Sequence, residues 1–262
     1  MLKQKITPII LAGGQGKRLW PISYAARPKQ FMPLVNGKSL FERALERCAN
    51  NEIFNSPIIV GSRQHKNILD KICSRGTRVI LEPAGKNTAP AIAIALNTIK
   101  TNETVMIMPA DHFIADIEGF EKTAIAAQGQ ASREFLVTIG VPPTGPHTGY
   151  GYIQTNAFGD VEKFHEKPDK QTAELYIENP NMYWNSGIFT ATPDTLIKEY
   201  QMHAPELLEG VLTEENFKTL KPISFDYAIA EKTFNAVMVE AEFAWNDIGD
   251  WNALISLKTG RL

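Results

Sequence analysis

Three glycines in four positions, Gly13, Gly14 and Gly16, run straight into Lys17 and Arg18 within the stretch LAGGQGKRLWPISYAARPKQF, and a further lysine follows at Lys29. Glycines at the end of an apolar run let backbone N–H groups approach a polyphosphate closely, and Lys or Arg neutralises its charge. Two familiar phosphate loops are excluded by counting. A G-x-G-x-x-G loop begun at Gly14 needs its third glycine where Leu19 stands, and a Walker loop needs glycine at Leu11 and Ser or Thr at Arg18. By itself the stretch also reads as a strand, a glycine turn and solvated basic residues. Two acids have a comparable duality. Asp111 follows the apolar run VMIMPA, and Asp247 follows VEAEFAWN more than a hundred residues later. Singly, each is a capping or turn Asp. Facing a basic glycine loop together, they could share one Mg²⁺ with phosphate oxygens, because that ion is commonly held by one or two carboxylates plus substrate phosphate.

The elements that must position these residues alternate. TPIILA is followed by SLFERALERCA, where Ser39 and Glu42 have capping-box spacing and Phe41, Ala44, Leu45 and Cys48 share one helical face. SPIIVG leads into RQHKNILDKIC, RVILEP into TAPAIAIALNTIK, TVMIMPAD into GFEKTAIAAQGQA, and FLVTIGV closes the series. Apolar runs without alternation, separated by amphipathic helices, predict a doubly wound α/β core with a sheet covered on both faces. In such sheets ligands bind beyond the carboxyl ends of the strands, where the glycine loop, Glu82 and Asp111 all fall. After Val141 the texture changes to Gly- and Pro-interrupted strands, with helices expected at KQTAELYI, TPDTLIKEY, FDYAIAEK and GDWNALISLK. No Ser/Gly-rich or charged linker divides the halves, so a single domain over residues 1–262 is expected, its first half about 1–141 and its second, about 142–262, a lobe added to the same sheet.

Composition narrows the class. The 262-residue chain is 44% hydrophobic and 21% charged, with a formal net charge of −2. It is long enough for a full core, and its charge gives no general attraction to nucleic acid or an anionic membrane, so local basic residues must hold any anion. The N-terminal MLKQKITPIILAGG has no cleavage-site pattern and reads as a first strand, and no run reaches membrane-spanning length. A cytoplasmic location is expected. Cys48 and Cys73 read as buried free thiols of a reducing compartment, and the five scattered histidines make no zinc spacing.

The blocks AGGQGKRLWPISYAARPKQF, EPAGKNTAPAIA, MPADH, TGYGYI, FHEKPD, WNSGIF, SFDYAIAEK and WNDIGDW, in this order, resemble the bacterial-type mannose-1-phosphate guanylyltransferases, or GDP-mannose pyrophosphorylases, along nearly the whole chain. The first block is shared with sugar-nucleotide pyrophosphorylases generally; NTAPAIA, WNSGIF and WNDIGDW point to the mannose members. The resemblance implies a Rossmann-like, doubly wound mixed sheet of the nucleotide-diphospho-sugar transferase type. It implies synthesis of GDP-mannose and pyrophosphate from GTP and mannose 1-phosphate with Mg²⁺, by in-line attack of a sugar-phosphate oxygen on the α-phosphorus. That nucleophile needs no activating Ser, Cys or His, so catalysis rests on alignment and charge neutralisation, and His112 is not needed as a base.

Roles follow by similarity. Gly13, Gly14 and Gly16 bring backbone N–H groups to the nucleotide, with Arg18 and Lys29 on the triphosphate; Asp111 and Asp247 hold Mg²⁺. Separately from the resemblance, Glu82 ends the strand RVILE beside the glycine loop and is expected to accept from the two adjacent donors of the guanine edge, with Asn87 in a lesser role. Glu166 accepts from sugar hydroxyls, Lys167 pairs with the sugar phosphate, Asn185 touches the sugar, and Gly151 gives backbone access. The tryptophans are expected to pack beneath the site. Many relatives carry Arg where this chain has Lys86, which places a bidentate phosphate contact there in doubt. Longer relatives continue into a β-helical segment and a cupin domain that isomerises mannose 6-phosphate, so no isomerase activity is expected of a chain ending at Leu262. The expected ligands are GTP and mannose 1-phosphate, with no nucleic acid or membrane partner and a homo-oligomer such as a dimer left open. Another base or hexose 1-phosphate, or a non-catalytic regulatory subunit of the same fold, are the alternatives; the latter should have lost charges, whereas Arg18, Lys29, Asp111, Lys167 and Asp247 are all present.

Overall fold

A computed structural model describes residues 4–14, 28–99 and 103–258. The first half runs β1 (Ile6–Leu11), α1 (Leu40–Arg47), β2 (Ile58–Ser62), α2 (Lys66–Ile72), β3 (Arg78–Glu82), α3 (Thr88–Leu96), β4 (Thr104–Pro109), β5 (Phe113–Ile114), α4 (Ile117–Ala131) and β6 (Leu136–Val141). The second half adds β7 (Tyr152–Thr155), β8 (Val161–His165), α5 (Lys170–Tyr176), β9 (Met182–Ala191), α6 (Pro193–His203), α7 (Pro205–Gly210), α8 (Glu214–Thr219), a π-helical turn (Asp226–Ala230), β10 (Ala236–Glu240), β11 (Trp245–Asn246) and α9 (Trp251–Lys258). The capping box forms as its spacing predicts: Glu42 N donates to Ser39 Oγ at 3.2 Å and Ser39 N to Glu42 Oε2 at 2.7 Å.

The main sheet has the order β10-β6-β9-β4-β1-β2-β3, with β7 joining β9 and β8 joining β7. β1 pairs in parallel with β2 on one side and β4 on the other, and β2 with β3. β9 is antiparallel to both β4 and β6, so the sheet is mixed. Successive side chains of a strand point to opposite faces. Thus Ile6, Ile10, Ile59, Met106 and Met108 join one buried core, while Ile9, Val60, Val105 and Ile107 join the other. Apolar residues on both faces of β1 and β4, interrupted only by the buried Thr7 and Thr104, are what a sheet covered on both faces demands.

Connections from β1 lead to β2 in one direction, whereas β4 lies on its other flank, so the strand order reverses between β1 and β4. Crevices open at such switch points, beyond the carboxyl ends of the strands. Gly13 and Gly14 leave β1 here and Asp111 leaves β4. Asp247 arrives differently. The sequence suggests one long strand before it, but β10 ends at Glu240 and a separate two-residue strand, β11, pairs antiparallel with β5. FDYAIAEK is the π-helical turn rather than an α-helix.

One packing constraint opposes local propensity. Gly119 lies in the first turn of α4, where alanine would favour the helix by about 1 kcal/mol, but a β-carbon there would stand 2.1 Å from the Glu242 carbonyl oxygen. Gly119→Ala is expected to destabilise the fold by about 1–3 kcal/mol. Urea unfolding checks this, and a midpoint at or above wild type would contradict it.

Candidate active site

A cleft of about 670 Å³ opens at the switch point, and it is lined by residues from both halves of the chain. Gly13, Gly14, Glu82, Asn87, Asp111, Gly151, Glu166, Lys167, Asn185 and Asp247 all line it. Gly16 and Arg18 lie outside the described residues.

At one end, the glycines and Glu82 are fitted to one another. A β-carbon on Gly13 would fall 2.3 Å from Glu82 Oε2, so only glycine lets the carboxylate occupy that place. Glu82 ends β3, is 5% exposed, and among the described residues receives no hydrogen bond. Burial pushes its pKa up to about 7. Gln30, which the sequence reading did not single out, is buried and donates from Nε2 to the Ala12 and Gly14 carbonyls at 3.1 and 2.7 Å, pinning the backbone of the glycine stretch. Asn87 has φ +71° and caps α3, its Oδ1 accepting from Thr88 N at 2.8 Å. Lys86 points away. Its ammonium donates to the Lys218 and Leu220 carbonyls, both at 2.6 Å, at the end of α8.

The middle of the cleft holds the two acids. Lys29 is buried, and its ammonium contacts Asp111 Oδ2 at 2.8 Å, the Asp247 carbonyl at 2.6 Å and the Ile248 carbonyl at 3.3 Å. An ammonium has three N–H donors, and each has an acceptor here. Without ligand, Lys29 stands behind the acids. Ile248 has φ +47°, a left-handed conformation costly for a β-branched residue. Gly249 N donates to Asp247 Oδ1 at 2.9 Å. Tyr150 is packed between aromatic rings, stacked on His147 and edge-on to Trp184 and Trp245; burial first, then the Asp247 charge, pushes its hydroxyl pKa up. Trp184 and Trp245 are buried, whereas Trp251 is exposed, contrary to the expectation that the tryptophans pack beneath the site, and Trp20 lies outside the described residues. Burial lowers the His112 pKa to about 4, with Asp111 pulling the other way, so the ring is neutral at neutral pH.

At the far end, a β-carbon on Gly151 would meet Glu166 Oε2 at 3.0 Å, so glycine again allows a carboxylate over the backbone. Glu166 Oε1 pairs with Lys167, which has φ +42°. Asn185 sits where the β6–β9 register shifts, between the Thr138–Phe189 and Gly140–Asn185 pairs, and such irregularities re-aim side chains. Its Oδ1 accepts from Gly187 N at 2.9 Å and its Nδ2 donates to Asp226 Oδ1 at 2.8 Å. Asp226 is a second residue without a role in the sequence reading, although SFDYAIAEK was a recognisable block. Burial raises its pKa, opposed by the Asn185 hydrogen bond. No local pattern marks it, because its relation to Asn185 spans 41 residues.

Two carboxylates on one cleft suit Mg²⁺, whose remaining ligands are ordinarily water and phosphate oxygens. Among the described residues no group of three or more His, Cys, Asp or Glu is arranged to hold a metal alone, so an ion here depends on the substrate for ligands.

A doubly wound mixed sheet with a cleft at its switch point is the nucleotide-diphospho-sugar transferase fold. The nucleotidyl transferase family matches residues 7–261, and the chain belongs to that family. A Salmonella montevideo protein named mannose-1-phosphate guanylyltransferase is 38% identical over 280 residues, covering 95% of this chain and 59% of that protein. The xanthan biosynthesis protein XanB of Xanthomonas campestris pv. campestris (strain B100) is 35% identical over 277 residues, covering 96% of this chain and 59% of that protein. The chain thus spans about three fifths of these curated relatives. A Thermus thermophilus crystal structure described as a mannose-1-phosphate geranyltransferase superposes with a TM-score of 0.90 at 33% identity, covering 98% of this chain and 80% of that one. No described helix is long and apolar enough to cross a membrane.

The burial of Glu82 has a thermodynamic consequence. With a folded pKa of about 7 against 4.5 when unfolded, Glu82 binds its proton more tightly in the fold, so it lowers stability as pH rises through that window. Glu82→Gln is expected to stabilise the ligand-free protein by up to about 3 kcal/mol at pH 8 and by almost nothing at pH 4. Denaturant titrations at the two pH values check the sign; an equal effect at both would refute it.

Proposed function

We propose that the chain is a mannose-1-phosphate guanylyltransferase, forming GDP-mannose and pyrophosphate from GTP and mannose 1-phosphate in the cytoplasm. The observation that carries this reading is one cleft with a buried acceptor, Glu82, beside the glycines at one end, Glu166 and Asn185 at the other, and two acids between. The names of the relatives support the same reading. Residues 1–141 bind the nucleotide and residues 142–262 the sugar phosphate.

Guanine presents two adjacent donors, N1–H and the 2-amino group, which an acceptor-only carboxylate can match. Uracil and thymine present one donor between carbonyl oxygens. Binding guanine gives Glu82 donors that no described residue supplies, so the cost of burying the acid is recovered only with the right base. The backbone N–H groups at Gly13, Gly14 and Gly16, with Arg18, hold the phosphates, and Asn87 supports the nucleoside. Asn185 Nδ2 keeps one N–H for the sugar, Glu166 accepts from its hydroxyls over Gly151, and Lys167 leaves Glu166 for the sugar phosphate. Asp111 and Asp247 would hold Mg²⁺, which when bound neutralises phosphate charge. Lys29 holds these acids together from behind. The sugar phosphate aligned by Lys167 attacks the α-phosphorus in line, and no side chain needs to take a proton.

Pyrophosphate release from a panel of NTPs crossed with sugar 1-phosphates should show the highest kcat/KM for GTP with mannose 1-phosphate; preference for another pair would refute the assignment. In the same assay Glu82→Gln should lower use of GTP and narrow its advantage over UTP and dTTP, corresponding to about 1–3 kcal/mol, with a smaller loss for Asn87→Ala. An unchanged GTP to UTP ratio would move base reading to the backbone.

Asp111→Asn and Asp247→Asn should each cut turnover strongly in folded protein, and wild-type rates at saturating substrate and magnesium would dismiss the metal assignment. Lys167→Ala should impair use of mannose 1-phosphate while calorimetric GTP affinity stays near wild type. An equal loss of GTP affinity would place Lys167 on the nucleotide.

A further inference from the structure

The Trp245 indole N–H donates to His112 Nδ1 over 3.1 Å, with the rings edge to face at 5.2 Å between centroids and 87° between planes. An indole N–H is a donor only, so Nδ1 carries a lone pair and the single ring proton sits on Nε2. Nε2 is 3.9 Å from Asp111 Oδ1, an ion–dipole separation longer than a hydrogen bond, while Oδ2 accepts from Lys29. Trp245 stands two residues before Asp247 and His112 directly follows Asp111. The β5–β11 pairing, Trp245 opposite Ile114 and Asn246 opposite Phe113, brings the two loops together.

We infer that His112 is a positioning residue for the Asp111 carboxylate and that Trp245 locks it in the Nε2–H tautomer, so that one acid-bearing loop orients the metal-binding group of the other. With the opposite tautomer, the Nε2 lone pair would face the carboxylate and repel it. Groups hydrogen-bonded to metal ligands typically change metal affinity 10–100-fold when removed. The inference rests on the reading of Asp111 as a metal ligand, and its test separates the two.

Mn²⁺ affinity, measured on the full chain with saturating GTP by the EPR signal of free Mn²⁺, is compared for wild type, Asp111→Asn, His112→Leu, His112→Gln and Trp245→Phe. His112→Leu and Trp245→Phe should each weaken Mn²⁺ about tenfold, whereas His112→Gln, whose amide N–H reaches the place of Nε2–H, should stay within about threefold of wild type. In ¹⁵N ring spectra, His112 should show a pyridine-type Nδ1 and a pyrrole-type Nε2 in wild type and mixed tautomers in Trp245→Phe. If Asp111→Asn loses Mn²⁺ but His112→Leu and Trp245→Phe bind it as wild type does, the positioning role is overturned alone. If Asp111→Asn also binds normally, the metal reading falls and the inference with it. Should His112→Leu not fold, Trp245→Phe and the tautomer spectra decide.

Discussion

A buried ammonium between two loops is the constraint on which the site depends. Lys29 is 3% exposed, and a charge so removed from water is costly unless every donor finds an acceptor. It finds them on Asp111, Asp247 and Ile248, so residues as far as 219 positions from the lysine are drawn to one point. The left-handed Ile248 belongs to the same arrangement. Its backbone bend accompanies two successive carbonyls on one ammonium, and its side chain, fully buried with Val35, Leu40 and Leu254, holds the bend in place. Strain of this kind persists only where surrounding packing over-determines it.

Around that centre the two ends of the cleft handle charge in opposite ways. Glu166 carries its own counter-ion, Lys167, in a solvated setting where the pair can open without a large penalty. Glu82 is buried with no such partner among the described residues, and burial makes it hold its proton tightly. The first arrangement suits a subsite that exchanges an internal pair for contacts to a ligand; the second suits one that discriminates, because an unmatched ligand leaves the buried group unsatisfied. Glycine serves both ends by allowing a carboxylate to lie against backbone, Gly13 under Glu82 and Gly151 under Glu166.

The ends are also mechanically joined. Lys86 donates to carbonyls at the end of α8, Ile223 N donates to Lys86 O at 3.1 Å, Ala89 N to Ile223 O at 3.2 Å, and Phe225 N to Thr88 Oγ1 at 2.8 Å. The segment so fastened to the loop that carries Asn87 ends at Asp226, which orients Asn185. Lysine at position 86 is sufficient for this task, since two separate carbonyls ask for a point charge with rotatable donors and not for a planar fork.

What the sequence determined by itself was local or periodic. Unbroken apolar runs at β1, β2 and β4 dictate strands buried on both faces, Ser39 and Glu42 dictate the start of α1, and glycines after β1 mark a close backbone approach, because each follows from sterics or spacing within a few residues. The family blocks likewise named ten of the residues that line the cleft. Tertiary structure decided the rest. The ligand-free contacts of Lys29 with Asp111 and with the Asp247 and Ile248 carbonyls follow from its burial and not from its place in the sequence. Asp226 and Gln30 acquire roles only from partners that folding delivers, and Trp245 from the pairing of two-residue strands too short to leave a period. The proton position on His112 is likewise decided by a single contact across 133 residues. Charge burial and long-range hydrogen bonding have no signature in the spacing of nearby residues, so these assignments belong to the fold.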